Sequence, residues 1–135
     1  MNLAVLGATG RTGQRGVAKP LRRDHRVIVV CRGLPPESTF PSEVHLETAD
    51  LMHSAQVSAA LAGADAVIGA LGPRPPCTEV FCAQVALNLV EAMRERGLCC
   101  LVCLSVVGEY PAQRTVFMEW MAHRFRRQNP EGARD

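Results

Sequence analysis

Lysine is almost absent from this chain: Lys19 is the only one among 135 residues, so arginine carries nearly all of the positive charge. An excess of charge of one sign is lacking as well. The formal net charge is +2, which gives no long-range pull toward nucleic acid or an anionic membrane surface, so any basic site has to be local. Long apolar runs are missing too: the longest, Leu98 to Val107 with Ser105 inside it, is too short to cross a bilayer. The chain opens Met1-Asn2 and enters apolar residues at once, without the basic segment, apolar stretch and small-residue cleavage site of a secretory leader. These absences lead us to expect a soluble cytoplasmic protein with no membrane and no nucleic-acid partner. There is no internal repeat and no low-complexity segment, and the length suits one domain over residues 1–135.

The six cysteines do not read as a disulfide framework. Cys99, Cys100 and Cys103 lie in an apolar, strand-like run and Cys31 ends another, where a free thiol packs as a small hydrophobe. The Cys-Cys-x-x-Cys spacing has no second cluster to complete a tetrahedral site, and His25, His45, His53 and His123 are scattered. Packed thiols are expected, and no metal.

What the chain does have begins at its third residue. The apolar run Leu3-Ala4-Val5-Leu6 goes straight into Gly7-Ala8-Thr9-Gly10-Arg11-Thr12-Gly13. A buried strand, a glycine-rich turn and a helix in succession form the arrangement that binds a dinucleotide pyrophosphate. Gly7 lets the chain leave the strand sharply, Gly10 keeps a Cβ out of the way of the phosphates, and Gly13 lets the helix pack close to the sheet. The free N–H groups of the helix then face the anion.

Strands and helices alternate along the rest of the chain. A first helix is expected from Thr12 to about Arg23, with Val17 and Leu21 facing the sheet, and a second strand from Arg26 to Cys31. Gly33 to Pro41 reads as a loop, and Val44-His45-Leu46-Glu47 as a third, edge strand. A short helix from about Ser54 to Ala62 leads to Ala66-Val67-Ile68-Gly69-Ala70, a continuously apolar strand covered on both faces. Pro73, Pro75 and Pro76 break the chain; Thr78 then caps a long helix to about Arg96, with Phe81, Val85, Leu89 and Met93 every fourth residue. Gly97 stops it, Leu98 to Leu104 is the fifth strand, and a last amphipathic helix runs from about Gln113 to Gln128. The fold expected is α/β: a Rossmann-type doubly wound parallel sheet of about five strands, order 3-2-1-4-5, with the ligand across the carboxyl ends at the switch point.

Four features together carry a family resemblance: Gly-x-x-Gly-x-x-Gly, Asp50-Leu51 after the third strand, Gly69-Ala70-Leu71-Gly72 after the fourth, and Asn88 in the long helix. With them the chain resembles the atypical short-chain dehydrogenase/reductases, in particular the NAD(P)H-binding group that includes biliverdin-IXβ/flavin reductase and the NmrA-like regulators. The resemblance implies that Gly7, Thr9, Gly10, Arg11, Thr12 and Gly13 hold the pyrophosphate. It also implies that Asp50 and Leu51 flank the adenine and that Ala70, Leu71 and Gly72 line the path to the nicotinamide. A turn or capping carboxylate remains the alternative for Asp50, and a tight strand exit for Gly69 and Gly72.

At the end of the second strand, where an NAD-specific carboxylate would bind the ribose, the sequence reads Val30-Cys31-Arg32. A guanidinium pairs with phosphate bidentately, so Arg32, aided by Arg11, favours NADP(H); a solvated loop arginine is the alternative. The catalytic half departs from the family. Members acting on alcohols or carbonyls use a Ser with a Tyr-x-x-x-Lys, whereas Tyr110 is followed four residues later by Arg114, and Lys19 is far away in sequence. Relatives often carry a serine pair at the end of the fifth strand, where Leu104-Ser105-Val106-Val107 keeps only the first. Ser105 is therefore a catalytic candidate, with a structural strand-end hydroxyl as the alternative.

Relatives also continue beyond the equivalent of Asp135. The fifth strand is accordingly expected to leave an open apolar edge through which the chain self-associates. The expected function is an NADPH-dependent oxidoreductase of the flavin/biliverdin reductase type, acting on a small conjugated, tetrapyrrole-like or flavin acceptor, with Arg74 and His123 as candidate contacts to it. The alternatives are a non-catalytic NADP(H)-binding sensor or an inactive truncated reductase.

Overall fold

Continuous apolar residues build the centre of the sheet. A computed structural model describes residues 1–72 and 79–104, which fall in the first of two compact units, Met1–Leu104; the second, Ser105–Asp135, lies outside the described residues. The strands are β1 (Asn2–Leu6), β2 (Arg26–Cys31), β3 (His45–Thr48), β4 (Ala66–Gly69) and β5 (Leu101–Cys103). All pairings are parallel and the order is β3-β2-β1-β4-β5, as the alternation of strand and helix patterns predicts. The helices are α1 (Arg11–Leu21), α2 (Ser54–Ala60) and α3 (Glu79–Arg96), and the loop before β3 contains a short 3-10 turn, Glu37–Thr39.

Side-chain alternation along β1 feeds two cores. Val5 packs with Val27, Val29 and Val17 of α1 on one face, while Ala4 and Leu6 pack with Val67, Val57, Leu61, Val85 and Leu89 against α2 and α3 on the other. Leu61 and Val57 are each 1% exposed, and burying such a side chain stabilises the fold by about 1.5–3 kcal/mol. The four-residue spacing of Val85, Leu89 and Met93 puts them on the inner side of α3, all buried, with Phe81 packed against the same cluster.

β5 is shorter and barer than the sequence pattern predicts. Its pairing begins at Val67↔Leu101, because residues 98–100 are spent returning the chain from Gly97, which ends α3 with φ +68°. Cys99, Cys100 and Cys103 are exposed rather than packed, and Cys31 and Cys82 are half-buried. Their apolar neighbours do not bury them because the run lies in this return and at the edge of the described sheet. β3 starts at His45, one residue later than expected, with Val44 buried just before it. Among the described residues no helix is long and apolar enough to cross a membrane.

Candidate nucleotide-binding site

The glycine turn is built by close backbone packing. Gly7 has φ +74°, and a Cβ there would lie 2.5 Å from the Ala70 carbonyl oxygen at the exit of β4. The left-handed conformation and the contact both demand glycine. A Cβ on Gly13 would overlap the Gly7 carbonyl oxygen and sit 2.6 Å from the Ala8 Cα, so α1 can approach the turn only with glycine there. Gly10 differs: its Cβ would meet nothing nearer than the Gly7 carbonyl oxygen at 3.4 Å. The Gly10 N–H donates to that same oxygen at 3.1 Å, and the Gly10 carbonyl accepts from Gln14 N–H at 2.9 Å, which starts the helix. No side chain caps α1. Its first-turn N–H groups, which have no partner within the helix, are left for an anion. Thr9, Arg11 and Thr12 are exposed around them.

A second group of residues follows β2 and β3. Arg32 is exposed at the end of β2, and the carbonyl of its neighbour Cys31 accepts from Ala49 N–H at 3.0 Å, which fastens the start of the Asp50 loop to β2. The Asp50 carboxylate accepts from Met52 N–H at 3.0 Å and meets His53 Nδ1 at 2.9 Å. The Met52 amide, the His53 hydrogen bond and charge, and the nearby Arg32 guanidinium hold its pKa below the ordinary carboxylate value. Gln56 Oε1 accepts from Asp50 N–H at 2.9 Å. Leu51, by contrast, is 5% exposed and belongs to the core. Its carbonyl accepts from buried Asn88 Nδ2 at 2.9 Å, and Asn88 Oδ1 accepts from Gln84 Nε2 at 2.9 Å. Asn88 is thus a clamp from α3 that sets the backbone on which Asp50 stands.

The profile of the NAD(P)H-binding family matches residues 7–131. The chain belongs to the NAD(P)H-binding family. Among curated relatives, the uncharacterized protein Rv2047c of Mycobacterium tuberculosis is 30% identical over 128 residues, covering 92% of this chain and 14% of that protein. The same figures hold for the uncharacterized protein Mb2073c of Mycobacterium bovis, so the chain spans 14% of the length of these relatives. Among solved structures, a protein from Burkholderia pseudomallei superposes with a TM-score of 0.68 at 28% identity, over 100% of this chain and 68% of that one. A wide-type short-chain dehydrogenase/reductase from Veillonella parvula in complex with NADP gives 0.66 at 20% identity, covering 90% of this chain and 55% of that one. The UDP-glucose 4-epimerase of Thermus thermophilus, in complex with NAD, gives 0.70 at 20%, covering 95% and 51%. The last two share the fold.

The residues present suit the cofactor of an NAD(P)H-binding protein. An uncapped helix start, a Gly10 over which a Cβ has room but a phosphate would need that room, and an exposed arginine beyond β2 lie at the carboxyl ends of the parallel strands. Ala70 and Leu71 are half-buried at the exit of β4, with Ala70 N–H donating to the Leu6 carbonyl at 2.9 Å. Gly72 is exposed and a Cβ there would meet nothing within 4 Å. Arg74, Ser105, Tyr110 and His123, together with the Thr78 cap and the last helix, lie outside the described residues. Among the described residues no three His, Cys, Asp or Glu side chains are grouped to hold a metal. Sequence reasoning missed His53 and Gln56 as the fixers of Asp50. The signal for His53 was local: an Asp three residues before a histidine at a helix start.

Proposed function

We propose that this domain binds NADP(H) in preference to NAD(H) and belongs to an NADPH-dependent oxidoreductase of the flavin or biliverdin reductase type. The observation that carries the cofactor preference is Arg32, exposed after β2, whose own end carries no carboxylate to meet a ribose hydroxyl. In this reading the Gly7–Gly13 turn and the first-turn N–H groups of α1 hold the pyrophosphate, and Arg32 with Arg11 takes the 2′-phosphate. Asp50 meets the adenine edge, and Ala70 and Leu71 border the nicotinamide. The bound cofactor supplies the hydride. The chain's part is to orient and shield, since hydride transfer to a conjugated ring needs positioning more than an acid. That suits a sequence in which Tyr110 has Arg114, not lysine, four residues on, and in which Lys19 sits on α1. Arg74 and His123 are the proposed contacts for an acidic acceptor, and Ser105 the candidate hydroxyl beside it.

The missing tyrosine–lysine pair also favours a second reading, in which the domain senses NADP(H) without turning it over. NADPH oxidation measured with and without added flavin or biliverdin, alongside a direct NADPH titration, separates the two. Turnover supports the reductase, binding without turnover supports the sensor, and absence of binding removes both.

A further inference from the structure

Arg32 and Asp50 leave neighbouring strands side by side. The β2–β3 register ends at Cys31↔Thr48, and the Cys31 carbonyl accepts from Ala49 N–H at 3.0 Å. Arg32 is thus one residue past the last pair on its strand and Asp50 two residues past it on the other. Paired strands lie about 4.8 Å apart, well within the reach of an arginine side chain. The Arg32 charge is felt at Asp50, where it helps to lower the carboxyl pKa. Yet the two make no ion pair among the described residues; Asp50 and Glu47, the acid on β3, are each met by a histidine instead. The Asp50 main chain is held on both sides, its N–H by Gln56 Oε1 at 2.9 Å and the next carbonyl by buried Asn88, so only the side chain can turn. Asp50 Oδ1 accepts from Met52 N–H at 3.0 Å and Oδ2 from His53 Nδ1 at 2.9 Å. An ionised carboxylate only accepts, so Nδ1 carries the donated proton. The Met52 bond is a local turn that needs no help from His53. Oδ2 is the atom whose partner can change.

We propose that His53 is a positioning residue for cofactor discrimination: by occupying Asp50 Oδ2 it keeps that carboxylate off Arg32 and leaves the guanidinium to a 2′-phosphate. The inference rests on the proposed role of Arg32 as the 2′-phosphate contact, and it adds a residue that acts through Arg32 without touching the cofactor. A guanidinium already paired with a carboxylate has to give up that pair before it takes a phosphate. NADH requires no such exchange, so the competition shows in NADP(H) alone. The His53 side chain is 65% exposed and that of Asp50 47%, which puts the competing pair in solvent. An exposed ion pair of this kind shifts an affinity by no more than about fivefold.

The test is calorimetric titration of the full chain with NADPH and with NADH, read as the preference for NADPH, the ratio of the two affinities. His53→Ala should lower NADPH affinity by about three- to fivefold and leave NADH nearly unchanged. His53 makes no side-chain capping bond to α2, so the fold should survive its loss, as circular dichroism melts would check. His53→Asn, whose amide nitrogen takes the place of Nδ1, should keep the parent preference. In the double variant His53→Ala/Asp50→Asn the neutral amide offers Arg32 no charge, and the preference should equal that of Asp50→Asn alone, whatever that change does to both affinities. An unchanged preference in His53→Ala, with Arg32→Glu still lowering it, would overturn the inference and leave the role of Arg32 intact. A loss in His53→Ala that Asp50→Asn does not remove would overturn it as well, because His53 would then touch the cofactor or only support the fold. If Arg32→Glu weakens both cofactors equally, Arg32 is not the 2′-phosphate contact and the inference falls with it.

Discussion

Gly10 and Gly13 sit three residues apart in one turn, and the structure predicts opposite consequences for changing them. At Gly10 the backbone has φ −79° and ψ 160°, a conformation open to any L-residue, and the nearest atom to a new Cβ is 3.4 Å away. Gly10→Ala should therefore leave stability within about 0.5 kcal/mol, the reduced freedom of the unfolded chain offsetting the slightly poorer helix cap. The added methyl occupies the space a pyrophosphate needs over the first-turn N–H groups. Losing one charge-assisted hydrogen bond costs about 1.5–3 kcal/mol, so NADPH affinity should fall by about 10- to 150-fold. Gly10→Val should abolish it. At Gly13 a Cβ would overlap the Gly7 carbonyl oxygen, and the only relief is a shift of backbone on one side or the other. Gly13→Ala should cost about 1–3 kcal/mol of stability, which for a chain of this size lowers the melting temperature by roughly 3–15 °C. Thermal melts by circular dichroism and NADPH fluorescence titrations read both quantities on the same samples. The reasoning fails if Gly10→Ala binds NADPH like the parent, or if Gly13→Ala melts at the parent's temperature.

Arg32→Glu should weaken NADP(H) by about 1.5–3 kcal/mol and leave NAD(H) nearly unchanged, as calorimetric titration of both cofactors would show; equal losses would remove Arg32 from the 2′-phosphate. Asn88→Ala should destabilise the fold by about 1–3 kcal/mol in a urea melt, because the buried Leu51 carbonyl loses its partner. His53→Ala should raise the Asp50 pKa, readable by carboxyl carbon NMR: Asp50 titrates below 3.8 in the folded chain, and whatever stability its ionisation contributes is present above that value and lost as pH falls through the folded pKa. Burial pushes the Cys31 thiol above 9.0, so iodoacetamide at neutral pH should label exposed Cys99, Cys100 and Cys103 well before Cys31, as peptide mass mapping would report.

What could be read from the sequence was whatever local chemistry dictates. The turn was legible because Gly7, Gly10 and Gly13 act on the backbone within a few residues of themselves, and the strand order because parallel crossovers leave few arrangements. The limits of β5 were not. Where that strand starts depends on how far the chain needs to travel from Gly97 to pair with Val67, a distance set by α3 and β4 together. An apolar composition therefore suggested buried cysteines where the structure has exposed ones. Asn88 stood out in sequence without a partner, since the carbonyl it holds is 37 residues away.

The site is made of two kinds of part, and they respond differently to change. The turn is fixed by backbone packing: Gly7 against Ala70 and Gly13 against Gly7 leave no latitude, so the proposed pyrophosphate site is tied to the integrity of β1, β4 and α1. Asp50 and His53 are surface side chains on a loop that Asn88 and Gln56 hold from beneath, and Arg32 is a surface side chain just after β2. Replacing one of those three leaves the cores on either face of the sheet untouched. Discrimination between nucleotides with and without a 2′-phosphate can then vary by single substitutions at almost no expense in folding, whereas the capacity to hold the pyrophosphate cannot. On the proposed reading, that asymmetry lets the glycines mark the family while Arg32 bears on the choice of cofactor.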